Sequence, residues 1–215
     1  MTSVRLSVDG RELPALVESL PADAGRFVLG IAGEPGAGKS TLAAAVLQAL
    51  GARAVVVPLD GFHLADVQLA RQGLLHRKGA PETFDAWGYA ALLARLREPT
   101  DHVVYAPGFE RDLEQPLAGA VAVPPEAEVV VTEGSYLLLD TASWHAARAR
   151  MDAVWFVRTH PGLRTSRLRA RHVAFGKSPE EAARWVATVD EPNAALVESS
   201  AVRADLQVDL TDWLP

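Results

Sequence analysis

Phe27-Val28-Leu29-Gly30-Ile31-Ala32 runs directly into Gly33-Glu34-Pro35-Gly36-Ala37-Gly38-Lys39-Ser40, and Lys39 to Leu50 then reads as a helix. A short β-branched-rich run, a G-x-x-x-x-G-K-[ST] loop and a helix in that order form a strand–loop–helix unit that wraps polyphosphate. Glycines let successive backbone N–H groups turn inward without side chains in the way. The helix then aims its positive end at the same anion. The expected nucleotide contacts are therefore Gly33, Gly36, Ala37, Gly38, Lys39, Ser40 and Thr41. Lys39 can reach the β and γ phosphates, and the Ser40 hydroxyl can hold a Mg²⁺ that bridges them.

Outward from this unit the apolar runs are Ala54 to Leu59, Val103 to Ala106, Val129 to Thr132, Ala153 to Val157 and Leu206 to Leu210. Helical stretches lie between them, at Ala86 to Arg97, Pro161 to Ala174 and Pro179 to Val189. Strands alternating with helices predict a three-layer α/β sandwich with a mostly parallel sheet of five or six strands. The continuous apolarity of the runs agrees, since such strands are covered on both faces. Ser178-Pro179-Glu180-Glu181 has the spacing of a capping box, and Glu98-Pro99-Thr100 closes an earlier helix. Leu117 to Pro125 reads as a connector or edge strand. The chain is expected to be one domain over residues 1–215, with an N-terminal helix or extension over 1–24. Residues 161–200 supply a lid and C-terminal helices.

The composition narrows the chemistry. The 215 residues carry 49% hydrophobic side chains, a net charge of −6 and no cysteine. Thiolate catalysis and Cys-based metal sites are excluded by inventory. An acidic chain without a basic stripe is a poor nucleic-acid binder. The amino end lacks an apolar signal core and no run approaches a membrane span, so a cytoplasmic protein is expected. Of 21 Lys plus Arg only three are Lys, at 39, 78 and 177, which leaves 18 Arg. All three lysines fall in motif-like segments, which hints at chemistry for lysine and surface duty for arginine.

Two carboxylates end strands at the edge of the sheet where the loop sits. Asp60-Gly61-Phe62-His63 follows the second run, and an acid there can accept the proton of an attacking hydroxyl. Glu133-Gly134 follows Val129 to Thr132 and can hold Mg²⁺ with Ser40. His76 to Asp85 gathers cations, a turn and a ring, and Tyr105 to Arg111 offers a second wall. From these segments His63, Arg77, Lys78, Phe84, Tyr105 and Arg111 are candidate acceptor contacts beside Asp60. Arg164, Arg167 and Arg171 recur on one helical face, suited to covering a transferring phosphate, with Gly176 as a hinge behind them. Arg203 is positioned to lie under a purine ring. His172 is read as a surface or packing residue. The apolar faces near Trp185 and Trp144 would bury either in a homodimer or in the core.

The phosphate loop, D-G-F-H at 60–63, R-K-G-A-P-E-T-F-D at 77–85, T-E-G at 132–134 and R-L-R-A-R-H at 167–172 resemble the uridine kinase, phosphoribulokinase and bacterial pantothenate kinase group of phosphate-loop kinases. The likeness runs from about Phe27 to Asp205. It implies an ATP-dependent transfer of the γ-phosphoryl group to a hydroxyl of a small metabolite that is nucleoside-, pantothenate- or sugar-like. It also implies Asp60 as catalytic base, Arg167 and Arg171 as lid arginines, and Arg77, Lys78 and Phe84 near the substrate. Where uridine kinases carry a Tyr-rich, His-containing loop this chain has Y-A-P-G-F-E-R, which weighs against uridine. The rival reading, a nucleotide-driven switch or binding module, lacks its N-K-x-D and D-x-x-G motifs.

Overall fold

The computed structural model describes residues 6–9, 12–20, 25–98 and 100–213. Six parallel strands make the central sheet: β1 (Leu6–Asp9), β2 (Phe27–Gly33), β3 (Ala54–Pro58), β6 (Val129–Glu133), β7 (Ala153–Arg158) and β8 (Leu206–Asp209). Their spatial order is β1-β8-β7-β2-β6-β3. Strand β2 is thus central, flanked by β6 and β7 in parallel register, with Leu29 opposite Val131 on one side and Ala153 on the other. Its carboxyl end lies at the crevice where open α/β sheets bind ligands.

Alternate residues of the strands feed two cores. Val28, Val130, Val154 and Phe156 face a layer built by α4 (Ala86–Arg97), α5 (Ala142–Arg148) and α8 (Glu191–Ser200), whose Tyr89, Leu93, Trp144 and Val197 are buried there. Leu29, Ile31, Val131, Trp155 and Val208 face α1 (Leu13–Glu18) and α2 (Lys39–Leu50) through Val17, Leu42 and Val46. Each such aliphatic side chain contributes about 1.5–3 kcal/mol on burial. The expected three-layer class therefore holds. Trp144 belongs to the core, at 3% exposure.

Three helices have the expected bounds, and the expected capping box forms at α7 (Pro179–Trp185), where Ser178 and Glu181 bond reciprocally. Pro99, the expected stop of α4, lies outside the described residues. So do residues 1–5, 10–11 and 21–24 of the expected extension. The remainder of that extension is no appendage, because β1 pairs with β8 and extends the sheet by one strand.

One strand expectation is corrected. The run at Val103 to Ala106 does not join the parallel sheet. It becomes β4 (Val104–Glu110), paired antiparallel with β5 (Gln115–Val123) in a separate hairpin, with a register shift between Ala106 and Gly108. Pro107, which has no N–H to give, sits at that irregularity. Burial along Val104 to Gly108 alternates, the pattern of a strand covered on one face only, unlike the unbroken burial of β2. Residues 117–125, read as connector or edge strand, supply most of β5.

The chain after β7 folds as α6 (Pro161–Ala174), α7, a π-turn over Val186–Asp190, and α8. Pro192 accounts for the π-turn, because it cannot donate to the carbonyl four residues back. The remaining helix, α3 (Asp66–Arg71), lies beyond β3.

Candidate active site

The carboxyl ends of β2, β3 and β6 open into a cavity of about 520 Å³, lined on its floor by Lys39, Ser40, Asp60 and Glu133. The loop leading into α2 is shaped by glycine where nothing else fits. Gly36 has φ +79°, and a Cβ there would lie 2.8 Å from the carbonyl oxygen of Arg164. Gly38 starts α2 from the left-handed region at φ 102°. Ala37, next to it, is fully buried, whereas Thr41 is exposed on α2.

Lys39 Nζ donates to the Glu34 carbonyl at 3.1 Å, so the ammonium lies back along its own loop. Burial lowers its hold on a proton, while the carboxylates of Glu133 and Asp60 act in the opposite sense. The Ser40 hydroxyl donates to Glu133 Oε1 at 3.1 Å. Burial raises Glu133 above the usual carboxylate range and the charge of Asp60 adds to it, against Lys39, Ser40 and Arg111. A hydroxyl beside a carboxylate is a donor set that suits Mg²⁺, which takes few protein ligands and keeps phosphate and water oxygens. No cluster of three His, Cys, Asp or Glu suited to a metal exists among the described residues. The backbone cradle and this oxygen pair both fit Mg-ATP.

Asp60 sits in a 3₁₀ turn, Leu59–Phe62, just past β3. The turn is clamped from above by the hairpin: a Cβ on Gly61 would lie 2.4 Å from the Pro107 carbonyl oxygen. Arg111, from the turn of the same hairpin, brings Nη2 to 3.7 Å from Asp60 Oδ2. His63 Nδ1 lies 2.8 Å from the Asp60 carbonyl. A carbonyl only accepts, so in that contact Nδ1 carries the hydrogen, and burial lowers the pKa of the ring against the pull of Asp60. The imidazole packs between Phe84 and Phe109, with ring centroids 4.0 and 4.9 Å away. Lys78 reaches Asp66 at 2.6 Å and the Glu114 carbonyl, closing the hairpin onto the 77–85 segment. Tyr136 donates to the Gly79 carbonyl at 2.5 Å from the opposite wall.

The cavity thus gathers Asp60, His63, Lys78, Phe84 and Arg111 from the expected acceptor contacts, and Arg171 from the expected lid. Arg167 lies beside the loop, 3.7 Å from where a Cβ on Gly38 would stand, and outside the cavity wall. Three expectations are redirected. Arg77 pairs with Glu82 and lines a small neighbouring cavity with His76. Tyr105 is 60% exposed on the outer side of the hairpin. The guanidinium of Arg203 is engaged by Asp140 at 2.7 Å and by the Leu138 carbonyl, away from the loop.

The lid arginines also divide. Arg164 is only 3% exposed, pressed against Gly36 and paired with Glu191 at 2.6 Å and Glu34 at 3.6 Å. It is a buried tie between the loop and α8 rather than a mobile charge. Gly176, read as a hinge, has φ +95° and caps α6: its N–H bonds Val173 O at 3.0 Å and that of Lys177 bonds His172 O at 3.1 Å. Those two bonds make a Schellman motif. His172 is no surface residue: its Nε2–H donates to Asp190 Oδ2 at 2.7 Å inside the cavity wall. Trp185, Val189 and Asn193 were missed as lining residues; the one sequence signal for them was Pro192 and the turn it forces.

No protein-family model matches the chain. A putative uridine kinase of Schizosaccharomyces pombe is 31% identical over 192 residues, 84% of this chain and 82% of that protein. The chain belongs to the phosphate-loop kinases of the uridine kinase and pantothenate kinase group. Among solved structures, a putative fructose transport system kinase from Silicibacter sp. TM1040 superposes with a TM-score of 0.82 at 36% identity, covering 91% of this chain and 98% of that one. A pantothenate kinase of Mycolicibacterium vanbaalenii is 34% identical over 118 residues, 52% of this kinase and 37% of that protein. This kinase is accordingly a phosphotransferase acting on an alcohol group of a small molecule. No helix among its described residues is long and apolar enough to cross a membrane.

Proposed function

We propose that this kinase uses Mg-ATP, that Asp60 takes the proton of the acceptor hydroxyl, and that residues 1–215 act as one domain whose residues 161–200 supply a lid and C-terminal helices. The observation that carries the reading is that Asp60, Lys39, Ser40 and Glu133 line one cavity at the carboxyl ends of three adjacent strands. When bound, Mg-ATP supplies the phosphoryl group and a divalent charge across its phosphates. Ser40 and Glu133 would hold the metal, and the backbone of residues 33–39 the phosphates.

The chain's own contribution is positioning and charge. Lys39 and Arg171 bring positive charge to the phosphate side of the cavity. Arg111 brings its guanidinium to 3.7 Å from the Asp60 carboxylate, adding positive charge beside the proposed proton acceptor. His63 and Phe84 form a firm wall against which the acceptor is oriented, and the lid residues of α6 and α7 that line the cavity keep water from the transfer.

The test is ADP release from Mg-ATP by the purified protein with nucleosides, pantothenate, sugars and hydroxy acids in turn. Release that rises with one acceptor class is expected. Release that ignores every acceptor would contradict the reading.

A further inference from the structure

The three lysines of this chain, in positions far apart in sequence, all line the same cavity. Two have evident work. Lys39 belongs to the phosphate loop, and the Lys78 ammonium is paired with Asp66 at 2.6 Å and donates to the Glu114 carbonyl. Lys177 is different. Residues 173–176 and 178–180 around it are exposed, yet Lys177 itself is half-buried. Its ammonium lies over the Trp185 ring, 4.7 Å from the centroid. Among the described residues it has no ion pair and its ammonium makes no hydrogen bond; Glu181 feels its charge only at a distance.

The backbone around Lys177 is fixed from both sides. The Schellman motif of α6 ends on its N–H, and the capping box of α7 begins at Ser178. A long flexible cation is thus held at one point of the cavity wall, over the Trp185 ring and without a direct ion pair among the described residues. Asp190, a carboxylate of the same cavity wall, is already engaged by His172. An ammonium placed this way is completed by an anion that arrives with a ligand.

Resting on the function proposed above, we infer that the acceptor carries an anionic group, a carboxylate or a phosphate, set apart from its reacting hydroxyl, and that Lys177 binds that group. Trp185 then covers the apolar part of the acceptor next to the charge. Lys177 is a specificity-determining residue, and its loss is felt by the acceptor and not by the nucleotide.

The experiment compares matched pairs of acceptors that differ in charge alone: glycerate with glycerol, pantothenate with pantothenol, and a sugar phosphate with its free sugar. Turnover of at least one acid, with kcat/KM ten-fold or more above its neutral partner, is expected. Lys177→Gln should remove most of that preference by raising the acceptor KM ten-fold or more, with the KM for ATP unchanged, and Lys177→Arg should restore part of it. Comparing the carboxylate pairs with the phosphate pair identifies which anion is used. A panel in which no acid is preferred overturns the inference, as does a Lys177→Gln effect confined to the KM for ATP. If neutral acceptors alone are turned over and Asp60→Asn abolishes that turnover, the inference fails while the proposed function stands. If ADP release ignores acceptor and Asp60 alike, both fail.

Discussion

The Ser40 hydroxyl and the Glu133 carboxylate meet across 3.1 Å, joining the first turn of α2 to the end of β6. Neither element would be held there by the other's sequence alone; the parallel pairing of β2 with β6 sets the two at the same level of the sheet. Glu133→Gln keeps the shape and removes the charge. It should raise the Mg²⁺ concentration for half-maximal turnover by about ten-fold or more, with the unfolding midpoint little changed. A magnesium titration of turnover that overlays the wild type would remove Glu133 from the metal site.

The turn that carries Asp60 depends on a glycine for contact rather than for backbone freedom. A Cβ at Gly61 would meet the Pro107 carbonyl oxygen at 2.4 Å, so Gly61→Ala must push the β4–β5 hairpin off the turn and move Arg111 with it. Acceptor kcat/KM should fall at least ten-fold while ATP affinity, set at the far side of the cavity, stays within about two-fold. Steady-state kinetics in both substrates measure the split.

Beneath Glu133 a buried hydrogen-bond chain stiffens the sheet. The Thr132 hydroxyl donates to Val57 O at 2.7 Å, so its single hydrogen is used and Tyr89, 2.6 Å away, must be the donor to it. Tyr89→Phe removes one donor and leaves Thr132 satisfied, at about 0.5–1.5 kcal/mol. Thr132→Val strands both the Val57 carbonyl and the Tyr89 hydroxyl and should cost more, about 1–3 kcal/mol. Denaturant unfolding of the two variants checks the order; equal losses would refute the direction of the chain.

His172 and Asp190 link α6 to the π-turn, with side chains 16% and 10% exposed. Asp190→Ala leaves a buried ring N–H without its acceptor and should lower stability by about 1–3 kcal/mol. For a chain of this size that is a fall in Tm of roughly 2–4 °C per kcal/mol, readable by calorimetry.

Legibility in the sequence followed the range of the forces involved. The strand–loop–helix order at Phe27 to Leu50, the capping box at Ser178 and the bounds of α2, α4 and α6 are written in local sequence, and the structure has them where that sequence puts them. Partner choice was not local. Val104 to Ala106 has the composition of a sheet strand, and only Pro107, Gly108 and the alternation of burial mark it for a hairpin. Arg164, Arg167 and Arg171 share a helical face by spacing, but that spacing could not say that Gly36 would draw the first of them under the loop. Val189, Asp190 and Asn193 join the cavity wall through the π-turn before Pro192, where Asp190 also meets His172 of α6, and that meeting is purely tertiary.

Asp60 is the centre of the account, and Asp60→Asn tests it with the least change of shape. The decisive measurement is acceptor-dependent turnover of that variant beside its ATP affinity. Turnover lower by about 10²-fold or more, with ATP bound as in the wild type, is the predicted result. Undiminished turnover with intact binding would contradict the assignment of Asp60 as the proton acceptor.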